Sequence, residues 1–494
     1  MRTRQTSTNR TMTPERMIAA GEDMNAEAAP PARLWTARLI GRFALLSVGV
    51  WLYAADTLVL ATISPAVVAD IGGVSYINWA ASLYEVAAII SGAAAPVISA
   101  RHGTRRLLSF AAATYAVGCL VSAIAPSIGM LIAGRTVQGL GGGMLMTLCY
   151  IAMSEWFPLE YWPRLFGIEA LIWSAGSLLG PLVGGLFVGH AGWRAAFWFF
   201  GAQGLALALL GTFLPADAPG AAGRKSWPRV PLTMLAAATL LIAHSGVARG
   251  VVFRICECAT GFALLYCAAR YDRRSAMRLL PAELLDLRQP ISAGLMMILA
   301  LSLSCTSFWC YGPLILNLLF GTTALHSGYI LAGESMAWSL ATVMVSRWPV
   351  IPEGLMIRLG AMTVAAGAAG FTLAVPAGAM TAIVTCALFE GFGFGLLWPA
   401  MAQRLATLCA DKAQRSLVAA SQTTLQRVGY CIGTATTGIA ANLAGLADGV
   451  SQGGPDAVAG IRSASFWVFA AFIPTLCWGV SSAFRFASAG EARR

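Results

Sequence analysis

Fourteen apolar runs, parted by short polar breaks, fill most of the chain. They fall near 42–66, 77–99, 107–126, 128–151, 164–188, 195–214, 231–247, 252–270, 291–319, 326–346, 356–376, 379–402, 416–444 and 463–486. A helix needs roughly 17–25 predominantly apolar residues to cross a bilayer core. The pattern therefore predicts an all-α integral membrane protein with 14 transmembrane helices. The seventh and eighth runs are the weakest. The eighth carries Arg254 and Glu257, whose i,i+3 spacing lets them pair near the outer interface. Were these two only to lie on the membrane, twelve spans would remain with the same orientation.

The polar breaks set the orientation. With the N-terminus in the cytoplasm, most basic residues fall in the tails and even-to-odd loops, including Arg101, Arg105 and Arg106 and the series Arg270, Arg273, Arg274 and Arg278. The outer loops hold Arg194, Arg249, Arg254 and Arg462, and Arg135 and Arg427 lie within spans. Positive charge marks the cytoplasmic side, so both termini are expected inside. Residues 1–35 are polar and lack the apolar core of a cleavable signal; they read as a disordered cytoplasmic tail. The remaining organisation is a six-helix bundle over 36–215, a linker with two inserted helices over 216–290, a second six-helix bundle over 291–487, and a cytoplasmic tail over 488–494.

Composition supports this reading. Of 494 residues 57% are hydrophobic and only 11% charged, with a mean hydropathy of +0.70. Soluble domains carry about a quarter of their residues as charge. The net charge of +11 is spread over many loops, which argues topology and excludes a nucleic-acid surface. The eleven cysteines, such as Cys119, Cys149, Cys305 and Cys386, are scattered through apolar runs with no metal-ligand spacing. Only Lys225 and Lys412 among the 33 basic residues are lysines, a bias of GC-rich genomes.

Against this background the polar and small residues inside spans carry the chemistry. Span five reads Trp173-Ser-Ala-Gly176-Ser-Leu-Leu-Gly180-Pro181-Leu-Val-Gly184-Gly185. Gly176, Gly180 and Gly184 recur every four residues on one face, where a neighbouring helix can approach closely. Pro181 removes a backbone donor and bends the helix. Span four holds Arg135-Thr-Val-Gln138-Gly-Leu-Gly-Gly-Gly143, with a guanidinium that needs a partner or water at that depth. Span one holds Asp56, followed nine residues later by Pro65; span two holds Trp79, Tyr84 and Glu85. Glu334 in span ten and Glu390 in span twelve sit near the midplane, and Arg427 in span thirteen is a counter-ion open to either. Glu169, one turn into span five, is expected to reach the cytoplasmic interface. Trp173 and Trp398, inside spans, either pack or stack on a substrate.

Together these stretches resemble the fourteen-span drug:proton antiporter branch of the major facilitator superfamily, over about residues 40–485. The span-five glycines resemble its antiporter motif, span four its R-x-x-Q-G-x-G-x-G pattern, span one its aspartate-to-proline motif, and span two its W-x-x-x-x-Y pattern. The loop Pro96-Val-Ile-Ser-Ala100-Arg101-His-Gly103-Thr-Arg105-Arg106 is similar to G-x-L-x-D-R-x-G-R-R. Three departures stand out. Pro96 replaces the first glycine of that loop motif, Ala100 replaces the aspartate that latches cytoplasmic helix ends in the family, and Glu85 stands where an apolar residue is usual.

The resemblance implies two six-helix bundles plus an inserted helix pair, in a bacterial inner membrane. It also implies export of small amphipathic organic compounds by a monomer, with no cofactor, driven by the proton gradient. Asp56, Glu85, Arg135, Glu334, Glu390 and Arg427 are then the candidates for proton or substrate coupling. Arg135 and Asp56 serve either that role or each other as structural partners. Tyr84, Trp173 and Trp398 are candidates to line the substrate path. Neither a phosphate-binding G-x-x-x-x-G-K-[ST] loop nor a nucleophile–base pair is present, so an ATP-driven pump and an enzyme are not expected. Other readings are a dedicated metabolite exporter and a non-transporting membrane sensor.

Overall fold

Apolar stretches of this length must satisfy their backbone hydrogen bonds internally, and every regular element among the described residues is helical. The computed structural model describes residues 37–72, 77–214, 229–245, 250–275, 278–322, 324–347, 351–446 and 455–489. The expected tail over 1–35, the linker stretch 215–228 and the last residues, 490–494, lie outside the described residues. Met1–Ala44 and Leu45–Arg494 form separate contact units. The described part of the first is the opening of α1, and everything below concerns the second.

The helices in chain order are α1 (Ala37–Ile71), α2 (Ile77–His102), α3 (Thr104–Ala123), α4 (Ile128–Trp156), α5 (Trp162–His190) and α6 (Arg194–Leu210). The inserted pair is α7 (Arg229–Ser245) and α8 (Val251–Asp272). There follow α9 (Pro290–Phe320), α10 (Ala324–Arg347), α11 (Glu353–Ala377), α12 (Met380–Thr407), α13 (Lys412–Leu443), α14 (Pro455–Ala470) and α15 (Ile473–Ser488). Ten helical segments are long and apolar enough to cross a membrane, one of them Val458–Ser488, which joins α14 and α15. Helix α7 is apolar but shorter. The fold is thus all-α and multi-span, with ten clear spans among the described residues where the sequence suggests fourteen. Helices α5, α10 and α13 also fall outside that set. Helix α10 carries Glu334, and α13 carries Gln422, Gln426 and Arg427, which lower their average hydropathy.

Glycine spacing explains how the helices approach. A Cβ at Gly139 or Gly143 of α4 would run into the α2 backbone at Tyr84 or Ala88, and one at Gly141 into α3 at Tyr115. The second half repeats the arrangement. A Cβ at Gly391 or Gly395 of α12 would meet the α10 backbone at Glu334 or Trp338, and one at Gly393 would meet α11 at Gly360 and Val364. The two G-x-G-x-G stretches therefore do the same work, wedging a central helix against two neighbours. This matched register makes Ala387 the counterpart of Arg135 and Glu390 the counterpart of Gln138.

Three sets of contacts join the halves. Ser174 on α5 donates to the Ser335 carbonyl of α10 (2.6 Å), and Ser339 on α10 donates to the Ala170 carbonyl of α5 (2.5 Å). Thr147 on α4 meets Thr423 on α13, their hydroxyls 3.1 Å apart. Arg427 on α13 reaches α1 and α2 as described below. The inserted helix α7 packs on α2 and α13 and is bound to α8 through His244 and Glu257, 2.9 Å apart. Glu257 thus finds a partner on α7.

Candidate functional site

The centre of the first half is a closed polar network. Asp56 on α1 receives Arg135 Nη1 at 2.7 Å and Gln138 Nε2 at 2.9 Å, and Arg135 also donates to Gln138 Oε1 at 2.9 Å. The guanidinium lies 4.2 Å above the centre of the Tyr84 ring. Asp56, Arg135 and Gln138 are at most 2% exposed. Charge-assisted bonds of this kind are strong, and both aspartate oxygens are engaged. Tyr84, a candidate for the substrate path, is instead buried beneath Arg135. Of the antiporter-motif glycines, Gly176 packs against Ala54 and Ala55 of α1, while Gly180 and Gly184 are buried. The surroundings of Pro181 and Gly185 lie outside what the structure describes.

A second cluster spans the halves. Arg427 on α13 donates to Tyr53 Oη at 2.6 Å, lies 4.0 Å from the centre of that ring, and faces Glu85 Oε2 at 3.4 Å. Tyr53 Oη in turn donates to Glu85 at 3.0 Å. Arg427 therefore answers Glu85; it is paired with neither Glu334 nor Glu390, the partners considered from sequence. Nothing in the order of residues along α13 points across the interface to α2, which is why the sequence left this pairing unread.

Between the halves lies a cavity walled by aromatic groups. From the first half come Tyr150 on α4 and Phe166, Glu169 and Trp173 on α5; from the second come Trp309, Glu334, Trp338, Trp398, Gln426 and Tyr430. Its lining contains two carboxylates and no basic residue. Glu334 accepts the Trp309 indole N–H at 3.0 Å, and Trp338 stacks on Phe394 with centroids 5.0 Å apart. Trp173 and Trp398 do line the cavity. Glu169 is a correction: it is 5% exposed and faces this cavity, and it does not extend to the interface. The available signal was periodicity, since Glu169 shares a helical face with Phe166 and Trp173. Trp309 and Trp338 were also missed, because isolated tryptophans in apolar helices carry no signal of direction.

Glu390 sits behind this wall on α12. It is fully buried, and neither carboxylate oxygen has a hydrogen-bond partner. Its neighbour Gly391 presses on the Glu334 backbone.

At the loop between α2 and α3, Gly103 has φ +87°, a conformation other residues rarely adopt, which accounts for glycine there. Arg105 donates to the Thr212 and Leu214 carbonyls beyond α6 (3.4 and 3.3 Å), while Ala100, Arg101 and Arg106 are exposed. Glu155 at the end of α4 accepts from Thr104 at 3.0 Å, placing an acid at this loop although Ala100 supplies none.

The comparisons with known proteins agree with this architecture. The Major Facilitator Superfamily pattern matches residues 46–434. A Mycobacterium tuberculosis protein named as a probable multidrug-efflux transporter is 28% identical over 431 residues, covering 82% of this chain and 88% of its own. An MFS-type efflux pump of Pseudozyma antarctica is 33% identical over 204 residues, 40% of this chain and 36% of the pump. Among solved structures, the proton:xylose symporter XylE superposes with a TM-score of 0.62 at 16% identity, over 90% of this chain and 94% of XylE. The human organic anion transporter MFSD10 does so with 0.62 at 14%, over 89% and 99%. At such identities these two structures speak to the fold alone. The chain belongs to the major facilitator superfamily.

Proposed function

We propose that this transporter is a proton-coupled antiporter that exports small amphipathic organic compounds by alternating access. The observation that carries the reading is the cavity between the halves, with tryptophans from both sides and both Glu169 and Glu334 in its lining. Aromatic faces suit flat apolar bodies, and carboxylates without a basic neighbour favour a positively charged end. The multidrug-efflux name of the mycobacterial relative supports the direction of transport. In this proposal all fourteen predicted segments cross a bacterial cytoplasmic membrane, both termini are cytoplasmic, and the carrier works as a monomer. The links between α5 and α10, and between Arg427 and Glu85, would break and re-form as the halves rock.

The test is a resistance screen in an efflux-deficient bacterial host against cationic, neutral and anionic aromatic toxicants, with proton movement followed in everted vesicles. Raised resistance to cationic compounds, accompanied by substrate-driven proton movement, is expected. An unchanged resistance profile in cells that hold folded protein in the membrane would sink the reading. Reporter fusions at Arg494 and near Gly453 should report inside and outside, respectively; the reverse would overturn the orientation.

A further inference from the structure

The two halves carry the same glycine register but opposite chemistry at its centre. In α4 the residue before the first glycine is Gln138, and one turn earlier stands Arg135; together they engage both oxygens of Asp56. In α12 the matching positions are Glu390 and Ala387, so an acid takes the place of the amide and the guanidinium is absent. The groups around Glu390 supply no replacement. Helix α9 offers the weakly donating thiol of Cys305, and α10 brings the carboxylate of Glu334. The backbone of α11 at Gly367 packs directly on Glu390, and α13 contributes Tyr430 only near Cys305 and Glu334. None of the described arginines or lysines pairs with Glu390, and both of its oxygens are orphaned at 0% exposure.

An ionised carboxylate without partners is far too costly in such surroundings, whereas a carboxylic acid is tolerated. A group that must hold a proton when enclosed, and can lose it when water reaches it, is a proton-binding site. We infer that Glu390, with Glu334 between it and the cavity, is the proton-binding site of this carrier, and that Asp56, Arg135 and Gln138 form a scaffold that exchanges no proton. As the site of the driving proton, this rests on the antiport reading above. The step is simple. The Glu390 carboxylate takes a proton from water on the outer side, forming the carboxylic O–H, and returns it to water on the inner side when that bond breaks. Glu334, which faces the cavity, is left for substrate. A cation beside Glu334 favours a negative charge on its neighbour Glu390, so substrate arrival and proton departure are linked without competing for one carboxylate.

The proton site can be tested without knowing the substrate, by attenuated-total-reflection infrared spectroscopy of full-length protein in lipid during a pH titration. A carboxylic-acid C=O band that titrates in the wild type should lose at least half its amplitude in Glu390→Gln and return at a shifted frequency in Glu390→Asp. Size-exclusion profiles establish that each variant is folded. A band unchanged in folded Glu390→Gln, or no titrating band in the wild type, overturns the assignment. A second arm uses ethidium as probe in everted vesicles, where ethidium-driven proton movement should fall at least tenfold in Glu390→Gln. Proton movement that persists in that variant overturns this inference alone. Vesicles in which the wild type moves no proton count against the antiport reading, and the infrared band then decides the proton site by itself.

Discussion

The centres of the two halves are built on one plan and wired in opposite ways. In the first, Asp56 is saturated by Arg135 and Gln138, and the guanidinium is packed on Tyr84. In the second, the equivalent helix carries Glu390, unpartnered, next to Glu334, which holds only an indole. Burial alone does not make an acid functional. What matters is whether the fold has already spent its charge on a partner. A paired buried acid is costly to disturb and therefore stationary, whereas an unpaired one is free to change state.

The largest expected effect comes from breaking the saturated centre. Arg135→Met leaves Asp56 buried without its cation, and removing one member of a buried pair costs about 3–5 kcal/mol. That is a large part of a typical folding free energy. Thermal unfolding in detergent should show a strongly lowered midpoint or no folded protein. Under the same assay Glu390→Gln should stay close to the wild type, since no bond to Glu390 is lost. Equal losses in the two variants would erase the distinction between the halves.

A smaller effect is expected where α5 meets α1. A Cβ at Gly176 would lie 3.3 Å from the Ala54 Cβ and 3.4 Å from the Ala55 nitrogen. Alanine needs only slight movement, while leucine overpacks, at a typical cost of about 1–3 kcal/mol. Gly176→Ala should transport normally and Gly176→Leu should be folded but impaired. Full transport activity in Gly176→Leu would show that this face is not held tightly during the cycle.

Weaker again is the tie between halves. Glu85 is 34% exposed, so Glu85→Gln leaves no deeply buried orphan, and Arg427 keeps Tyr53. About a tenfold change in transport rate is expected, equivalent to about 1.4 kcal/mol, with little change in unfolding temperature. A large loss of stability with normal transport would make this cluster structural, like Asp56–Arg135.

The contrast between the halves was only partly legible in the sequence. The apolar runs placed the helices, because a membrane leaves a long apolar segment few alternatives to an internally bonded helix. The R-x-x-Q-G-x-G-x-G stretch marked α4 as holding an arginine in need of a partner, and Asp56 with Arg135 could be weighed as partners. The positions that decide function were harder. Glu169 differs from a snorkelling residue only in the direction it faces, Arg427 chose a partner on another helix of the other half, and Trp309 and Trp338 owe their role to convergence across the interface. Sequence shows what lies along a helix; which face meets which neighbour is a property of the packed bundle.

The smallest predicted effect separates burial from pairing on a single helix. Helix α1 carries two aspartates, each paired with arginine: Asp56 with Arg135 at 3% and 1% side-chain exposure, and Asp70 with Arg194 at 48% and 38%. Asp70 lies beyond the apolar run, where it also accepts the Trp193 indole at 3.1 Å, and Arg194 caps the Ala125 carbonyl at 2.9 Å. The hydrogen bonds from Arg194 and then Trp193 hold the Asp70 carboxyl below the usual carboxylate range. A lowered value stabilises the folded state above the unfolded carboxyl value of about 3.9, and the contribution disappears as pH falls through the lowered native value. Water screens so exposed a pair. Asp70→Asn should therefore lower the unfolding midpoint only slightly at pH 7, and high salt should shrink the difference. As pH falls through that lowered native value variant and wild type should converge, because both then carry a neutral side chain at position 70. A gap that survives both acid and salt would mean that Asp70 acts through shape at the junction of α1 and α6, and exposure would then no longer distinguish the two aspartates.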